Sequence, residues 1–173
     1  YTIESDWSAA AFLMVAAAIA GEVTIRNITT LSRQADTSVC RALERAGASI
    51  IIEESAITVA HRPLEAFTFD ATHSPDLFPA LVALAAASDG VSTISGIERL
   101  RGKESDRGEV LKEEYSKLGI DIELDYDENV MRVVGGTPHA ADVDSHDDHR
   151  IAMSLAITAL RIEDEVAIRN REC

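Results

Sequence analysis

Charged side chains are concentrated in one short stretch of the sequence, Arg99–Arg107, which reads Arg-Leu-Arg-Gly-Lys-Glu-Ser-Asp-Arg. Gly102 predicts a turn, and Asp106 begins a run with helical periodicity, so unpaired backbone N–H groups and the helix dipole favour an anion there. Lys103 and Arg107 are four residues apart and would share one face of a helix. The stretch therefore predicts an anion site, although an isolated run of charges is more often a solvated turn.

Two further loops carry groups that transfer protons or bind anions. Ser145–Arg150 reads Ser-His-Asp-Asp-His-Arg, and His73–Asp76 precedes an apolar helix. Asp76 and Asp148 also suit helix N-capping, which can hold alongside another role. Surface or capping roles are an equal alternative for His146 and His149. A metal site at residues 146–149 is a weak interpretation, because no recognised zinc or calcium spacing is present.

Composition limits the classes of partner. The chain has 173 residues, 46% of them hydrophobic, which suits one folded domain rather than a disordered segment. Its formal net charge is −14. We expect no nucleic-acid partner, because binding nucleic acid requires a basic surface. A local basic cluster on such an acidic chain suits a small anion.

Neither a disulfide framework nor a membrane segment is predicted. Cys40 and Cys173 are interpreted as small buried hydrophobic residues, and they weakly favour a reducing compartment. The apolar run Ala9–Gly21 is too short to span a bilayer, and acidic rather than basic residues precede it. We expect a cytoplasmic protein with no membrane contact. Because residue 1 is tyrosine, we also expect the chain to begin inside a longer protein.

An internal repeat determines the predicted architecture. Asp6, Asp76 and Asp148 each precede an apolar helix, with steps of 70 and 72 residues between them. A strand follows each helix, and the first two units continue with a second helix and a hairpin. The pattern predicts an α/β fold of three βαβαββ units with the apolar helices inside. Tyr1–Glu4 is expected to be the first strand.

The third unit stops after its first helix and strand, so we expect the natural protein to continue beyond Cys173. Equivalent positions in repeated units cluster at one end of such a fold. The loops containing Asp76, Lys103–Arg107 and Asp148–Arg150 are therefore expected to converge.

Four motifs together resemble a known family over the whole chain and in the same order. They are Lys103-Glu-Ser-Asp-Arg107, Asp147-Asp-His-Arg-Ile-Ala-Met153, Asp6-Trp-Ser-Ala-Ala10 and His73-Ser-Pro-Asp76. The sequence resembles 3-phosphoshikimate 1-carboxyvinyltransferase, also called EPSP synthase. That family has two domains, each an inside-out α/β barrel of three βαβαββ units. The resemblance implies that residues 1–173 form a single C-terminal domain, with the third unit truncated and the N-terminal domain and extreme C-terminus absent.

The resemblance also implies a reaction. The family transfers the enolpyruvyl group of phosphoenolpyruvate to the 5-hydroxyl of shikimate 3-phosphate and releases phosphate, without a metal or organic cofactor. The reaction belongs to the pathway to chorismate and aromatic amino acids. The chain's own N-terminal domain, facing it across the cleft, is the expected protein partner.

Individual roles follow from the same resemblance. Asp76 matches the proposed base on the 5-hydroxyl, and Lys103 matches a residue that touches the shikimate phosphate and the reacting centre. Glu104 matches a carboxylate placed for proton transfer at the methylene carbon. Arg107 and Arg150 match phosphoenolpyruvate-binding arginines. Supporting roles are expected for Asp148 and His149. Arg99 stands where some members have a substrate-binding asparagine, so the resemblance leaves open whether Arg99 replaces that contact.

Two alternatives remain open at this point. The first is the related enzyme that enolpyruvylates a UDP-amino sugar, whose motifs fit the Lys103–Arg107 and Asp148–Arg150 segments less well. The second is a non-catalytic repeat domain that serves as an acidic interaction module. The residue types suit phosphoenolpyruvate chemistry independently of the resemblance. Arginine side chains bind its carboxylate and phosphate, and paired carboxylates can transfer the protons.

Overall fold

Helices and strands alternate through the computed structural model, which describes residues 3–103 and 105–172. The described elements are α1 (Trp7–Ala20), β1 (Glu22–Arg26), α2 (Val39–Arg45), β2 (Ser49–Ile52), β3 (Ala56–Ala60), β4 (Thr68–Asp70), α3 (Phe78–Ala86), β5 (Val91–Ser95), α4 (Arg107–Lys117), β6 (Ile122–Asp125), β7 (Val130–Val134), β8 (Asp142–Asp144), α5 (His149–Thr158) and β9 (Ala167–Arg169). Single 3₁₀ turns precede α2 and α3 and follow β5 and α5.

Three apolar helices, α1, α3 and α5, form the centre of the fold and pack on one another. Phe12, Leu84 and Leu155, one from each helix, are at most 3% exposed. Helices that are apolar on most sides must be buried on most sides, and each such side chain contributes roughly 1.5–3 kcal/mol on burial. The prediction that the repeated apolar helices are buried together is confirmed.

The strands form sheets around these helices. β1, β3 and β2 make an antiparallel sheet in that order, and β4, β5, β7 and β6 make a second in which β4 runs parallel to β5. β8 and β9 form a parallel pair. The second unit is thus a full βαβαββ unit and the third is βαβ. The chain has the predicted α/β architecture, an inside-out barrel with a truncated third unit.

The first predicted strand is wrong for its described part. Ile3 and Glu4 are not in a strand, while residues 1 and 2 lie outside the described residues. In the second unit the strand ends at Asp70, six residues before Asp76, and in the third at Asp144, four residues before Asp148. Ile3 and Glu4 lie too close to the Asp that precedes α1 for the equivalent strand to include them.

One close backbone approach fixes the end of the second unit. After β7, Gly135 passes so near the C-terminal end of α3 that a Cβ on it would lie 1.7 Å from the Ser88 carbonyl oxygen. The Gly135 N–H donates to the Gly90 carbonyl, and the Gly136 N–H donates to the Ala86 carbonyl. Only glycine fits this contact.

Candidate functional site

Asp76 lies where three cationic side chains meet. It occupies the first turn of the 3₁₀ segment Pro75–Leu77 that leads into α3, and no side-chain capping bond forms there. Its Oδ1 instead accepts hydrogen bonds from Lys103 Nζ at 3.2 Å and from Arg107 Nη1 at 2.7 Å. The N-capping alternative is therefore wrong for Asp76, whose carboxylate is used for ion pairs.

Arg107 is the first residue of α4, and its side chain is 0% exposed. Its Nε donates to Asp148 Oδ2 at 2.7 Å, and its Nη2 donates to Asp148 Oδ1 at 3.3 Å. This is a two-pronged guanidinium–carboxylate contact, the strongest common form of charge-assisted hydrogen bond. With its third nitrogen on Asp76, Arg107 joins the second unit to the third.

Asp148 combines capping with pairing. It is the N-cap of α5, where Oδ1 accepts the Arg150 N–H at 3.0 Å. Oδ2 also accepts from Ser105 Oγ at 3.2 Å, in addition to its bonds with Arg107. The side chain is fully buried, so these donors replace the water that an ionised carboxylate would otherwise hold. The capping interpretation of Asp148 holds together with a place in the site.

Arg150 approaches Asp76 from α5. Its Nη2 lies 3.7 Å from Asp76 Oδ2, and its Nη1 donates to the Asp76 carbonyl oxygen at 3.4 Å. The side chains of Arg150 and Lys103 are 16% and 29% exposed, whereas that of Arg107 is fully buried. An incoming anion would meet Lys103 and Arg150 first.

The starts of the three central helices lie close to this cluster. Asp6 caps α1 by accepting from the Ser8 and Ala9 N–H groups. The Ser8 hydroxyl donates to Asp36, a buried carboxylate. The charge of Asp76 acts to raise the pKa of Asp36, and that of Arg150 acts to lower it. Helix N-termini carry partial positive charge, so they add to the attraction for an anion.

The remaining predicted residues have different outcomes. Glu104 lies outside the described residues. His149 is the exposed first residue of α5, and its side chain makes no hydrogen bond or ion pair with any described residue. Arg99 donates to the Thr72 carbonyl oxygen at 3.3 Å. The prediction that Lys103 and Arg107 share a helix face is wrong, because α4 begins only at Arg107. They meet at Asp76 because Gly102, at φ 76°, turns the chain before the helix.

The cations determine the charge state of the two aspartates. Burial acts to raise the pKa of Asp76, but the bond from Arg107, the charge of Arg150 and the contact with Lys103 outweigh it, so the pKa lies below its usual value. Burial likewise acts against ionisation of Asp148. Its contacts with Arg107 and the backbone N–H of Arg150 prevail, and the pKa of Asp148 is lowered. Both carboxylates are ionised at neutral pH.

Sequence reasoning missed two residues of this cluster. Ser105 lies inside the charged motif, and its bond to Asp148 had no separate signal. Asp36 is buried in the turn before α2, and its desolvation raises its pKa despite the hydrogen bond from Ser8. Its place in the first turn of a helix was the only available signal.

A different acidic cluster lies farther along α4. Carboxylate and imidazole atoms of Glu113, Glu114 and His146 lie close enough to hold a metal ion, whereas the predicted weak candidate was residues 146–149. Lys117 Nζ already contacts Glu114 at 2.7 Å and Glu113 at 3.2 Å. A resident ammonium group supplies the positive charge that a metal would otherwise bring, so the cluster does not fit a metal site well.

The comparisons with known proteins decide the family. The model of the family described as EPSP synthase (3-phosphoshikimate 1-carboxyvinyltransferase) matches residues 1–173. The chain belongs to the EPSP synthase family.

Curated relatives and solved structures agree with this assignment. The chain is 38% identical over 173 residues to a 3-phosphoshikimate 1-carboxyvinyltransferase of Dehalococcoides mccartyi and 39% identical over 178 residues to one of Clostridium perfringens. All of this chain is covered in both alignments. It spans about 40% of the length of these relatives, 40% and 41% respectively.

An EPSP synthase from Acinetobacter baumannii superposes with a TM-score of 0.87 at 29% identity, covering 98% of this chain and 42% of that one. The enolpyruvyl transferase NikO from Streptomyces tendae superposes with a TM-score of 0.72 at 21% identity, over 99% of this chain and 40% of that one, which shows a shared fold alone. Among the described residues of this EPSP synthase family chain, no helix has the length and apolarity to cross a membrane.

Proposed function

We propose that this chain is the C-terminal domain of a two-domain enzyme that transfers the enolpyruvyl group of phosphoenolpyruvate to the 5-hydroxyl of shikimate 3-phosphate and releases phosphate. The observation that carries the proposal is the meeting of Lys103, Arg107 and Arg150 at Asp76. The names of the curated relatives support the same reaction.

In this proposal, substrate anions replace Asp76 as the partners of the cationic side chains. The Asp76 carboxylate lies among the cations that substrate anions would use. Phosphoenolpyruvate carries a carboxylate and a phosphate, both of which match arginine forks. We propose that Arg150 binds this substrate, that Arg107 binds it once its Nη1 leaves Asp76, and that Lys103 binds the acceptor phosphate and the reacting centre.

Proton transfer in the proposal uses two carboxylates. Asp76 takes the proton of the 5-hydroxyl while the hydroxyl oxygen bonds to C2 of phosphoenolpyruvate. At the same time Glu104 gives a proton to the methylene carbon. Glu104, now a carboxylate, then takes one proton back from the new methyl group as phosphate leaves C2 with the C–O electron pair; the double bond is restored, and the phosphate accepts the proton held by Asp76. Neighbouring cations lower the pKa of Asp76, so it is ionised and ready to accept a proton. Redirecting Lys103 and Arg150 to substrate anions would strengthen it as a base.

The proposal implies that the active cleft needs a second wall. We propose that an N-terminal domain of the same protein supplies it, that no cofactor or metal takes part, and that the protein acts in the cytoplasm. The described Cys40 is free and buried, which is compatible with a reducing compartment. Because closure of a cleft excludes water and completes such sites, this chain alone should not turn over.

Binding to this chain is the direct test. Phosphoenolpyruvate is titrated into the wild type, Arg150→Ala and the control Arg62→Ala. The control removes the same charge from an exposed residue. Arg62 lies at the other end of α1, because the neighbouring His61 N–H donates to the carbonyl of Gly21, which follows that helix. Loss of a charge-assisted contact should weaken binding by about 1.5–3 kcal/mol in Arg150→Ala alone, or roughly 10- to 150-fold. Equal affinity in all three proteins would refute the assignment.

Turnover separates the proposal from the alternatives. Phosphate release from phosphoenolpyruvate is measured in the longer enzyme with shikimate 3-phosphate or a UDP-amino sugar as acceptor, and in this chain alone. We expect release only in the longer enzyme and only with shikimate 3-phosphate. Release with the UDP-amino sugar would favour the related enzyme, and no phosphoenolpyruvate binding by the longer protein would favour the interaction module.

The role proposed for Glu104 has its own test in the longer enzyme. Glu104→Gln keeps the shape of the side chain but cannot transfer a proton, so kcat should fall on the order of a hundredfold or more with KM changed less. Near-normal kcat would pass the proton role to another residue, with Asp76 the next candidate.

A further inference from the structure

The loop immediately before Asp148 has an unusual backbone. His146 and Asp147 have φ of 52° and 57°, so two consecutive residues with side chains adopt the left-handed conformation. Such residues are uncommon and persist only where surrounding contacts hold them. The conformation matters because it sets the position of Asp148 and, through the cap of α5, of Arg150.

Glu114, a fully buried carboxylate on α4, holds this loop. It accepts the Asp144 N–H at 2.8 Å, and the His146 Nε2 lies 2.9 Å from its other oxygen. Lys117 Nζ, at 2.7 Å, neutralises it from the same helix. The buried carboxylate thus has three donors, one from the strand before the left-handed turn, one from the first residue of the turn and one from its own helix.

The spacing of Arg107 and Glu114 along α4 lets one helix hold both ends of the loop. Glu114 follows Arg107 by seven residues, two helical turns, so the two side chains lie on one face. Arg107 holds Asp148 at one end of the loop, and Glu114 holds Asp144 and His146 at the other. The opposite side of the loop is tied to the end of β9, where the Ser145 hydroxyl donates to the Asn170 carbonyl oxygen at 2.6 Å.

We propose that Glu114 is a positioning residue, and that its contacts with His146 and the Asp144 N–H hold the left-handed turn so that Asp148 and Arg150 are set for an anionic substrate. Glu114 touches no substrate in this proposal. The identity of the anion, phosphoenolpyruvate, rests on the proposed function, but the positioning of Asp148 and Arg150 does not.

The test compares three isotope-labelled variants of this chain with the wild type. Glu114→Gln alters the buried acceptor, His146→Ala removes one partner from the exposed side of the loop, and Glu113→Gln is the matched control. Glu113 is adjacent, exposed and bonded to the same lysine at 3.2 Å, and although one of its oxygens lies within 4.8 Å of a His146 ring nitrogen, its side chain makes no hydrogen bond with the described loop. The measurements are the amide resonances of Asp148 and Arg150, the Nε resonance of Arg107, the melting temperature and the affinity for phosphoenolpyruvate.

We expect Glu114→Gln and His146→Ala to move the Asp148, Arg150 and Arg107 resonances and to weaken phosphoenolpyruvate binding at least fivefold, and Glu113→Gln to do neither. His146→Gln, whose amide can donate to Glu114, should restore part of the affinity. If Glu114→Gln does not fold, His146→Ala decides the matter, because Glu114 keeps Lys117 and the Asp144 N–H as donors.

Unchanged resonances in His146→Ala would overturn the proposal. So would a lower melting temperature with unchanged resonances and affinity, since Glu114 would then act on stability alone. If the longer enzyme does not bind phosphoenolpyruvate, the proposed function fails, and the resonances of this chain still decide whether Glu114 positions the loop.

Discussion

Replacing Arg107 by alanine should damage the fold as well as the site. The motif alone predicts mainly weaker phosphoenolpyruvate binding, by roughly 2–3 kcal/mol. In the structure, however, the guanidinium is fully buried, and its removal takes two hydrogen bonds from Asp148, which is also fully buried. Breaking a buried ion pair by deleting one partner costs about 3–5 kcal/mol, because the other charge stays buried.

This loss is large enough for a simple assay. For a domain of this size, each kcal/mol corresponds to about 2–4 °C, so the melting temperature of Arg107→Ala at pH 7 should fall by about 6–20 °C. The pKa of Asp148 is lowered in the folded protein, so its stabilisation is present above the unfolded value of about 3.9 and is lost as the pH falls through the folded value. The gap between wild type and variant should therefore shrink in acid.

A double-mutant cycle provides the control for this prediction. Asp148→Asn removes the charge that Arg107 neutralises, so the double variant should lose clearly less than the sum of the two single losses. A melting temperature for Arg107→Ala within 1 °C of wild type, or strictly additive losses, would refute the reasoning.

Three further outcomes follow from packing and burial. Gly135→Ala would place a methyl group 1.7 Å from the Ser88 carbonyl oxygen and should cost about 1–3 kcal/mol or more in urea unfolding, whereas Gly21→Ala, with nothing within 4 Å, should change stability by less than about 1 kcal/mol. Burial raises the pKa of the Cys40 thiol to about 11, so in Cys173→Ser protein the native thiol should react with a disulfide reagent at pH 8 far more slowly than in urea, and equal rates would contradict its burial. Burial also raises the pKa of Tyr115 to about 12. In an alkaline titration followed by tyrosinate absorbance, the wild type should therefore show a last step at high pH that is missing from Tyr115→Phe protein.

The repeat carried most of what was predictable. Aspartates at steps of 70 and 72 residues predicted the buried helices, because both the cap and the apolar run are local features. The site was predictable as a set of converging loops for the same reason. The first strand was misplaced because a strand needs a partner, and the sequence near Glu4 does not show how many residues separate a strand from the Asp6 cap of α1.

The details of pairing were not predictable from local pattern. Nothing in the sequence distinguishes Asp76, which pairs with Lys103 and Arg107, from Asp148, which caps α5, since both precede apolar helices. Burial of Arg107 and Glu114 depends on two helices and a loop meeting in space. Their spacing of seven residues was visible, but their partners on that face are distant in sequence: Asp144 is 30 residues from Glu114, and Asp148 is 41 residues from Arg107.

The division of the cluster between two repeat units has a consequence for hydrogen exchange. Asp76 and Arg107 belong to the second unit, whereas Asp148 and Arg150 belong to the third, which consists of β8, α5 and β9. Proteins open in cooperative segments smaller than the whole, and a βαβ segment is a natural one. Opening of this segment alone would dismantle the proposed anion site while the first two units stay folded. A ligand held by both units would suppress that opening, so bound anion should slow exchange in β8 and β9 more than in β1 and β3.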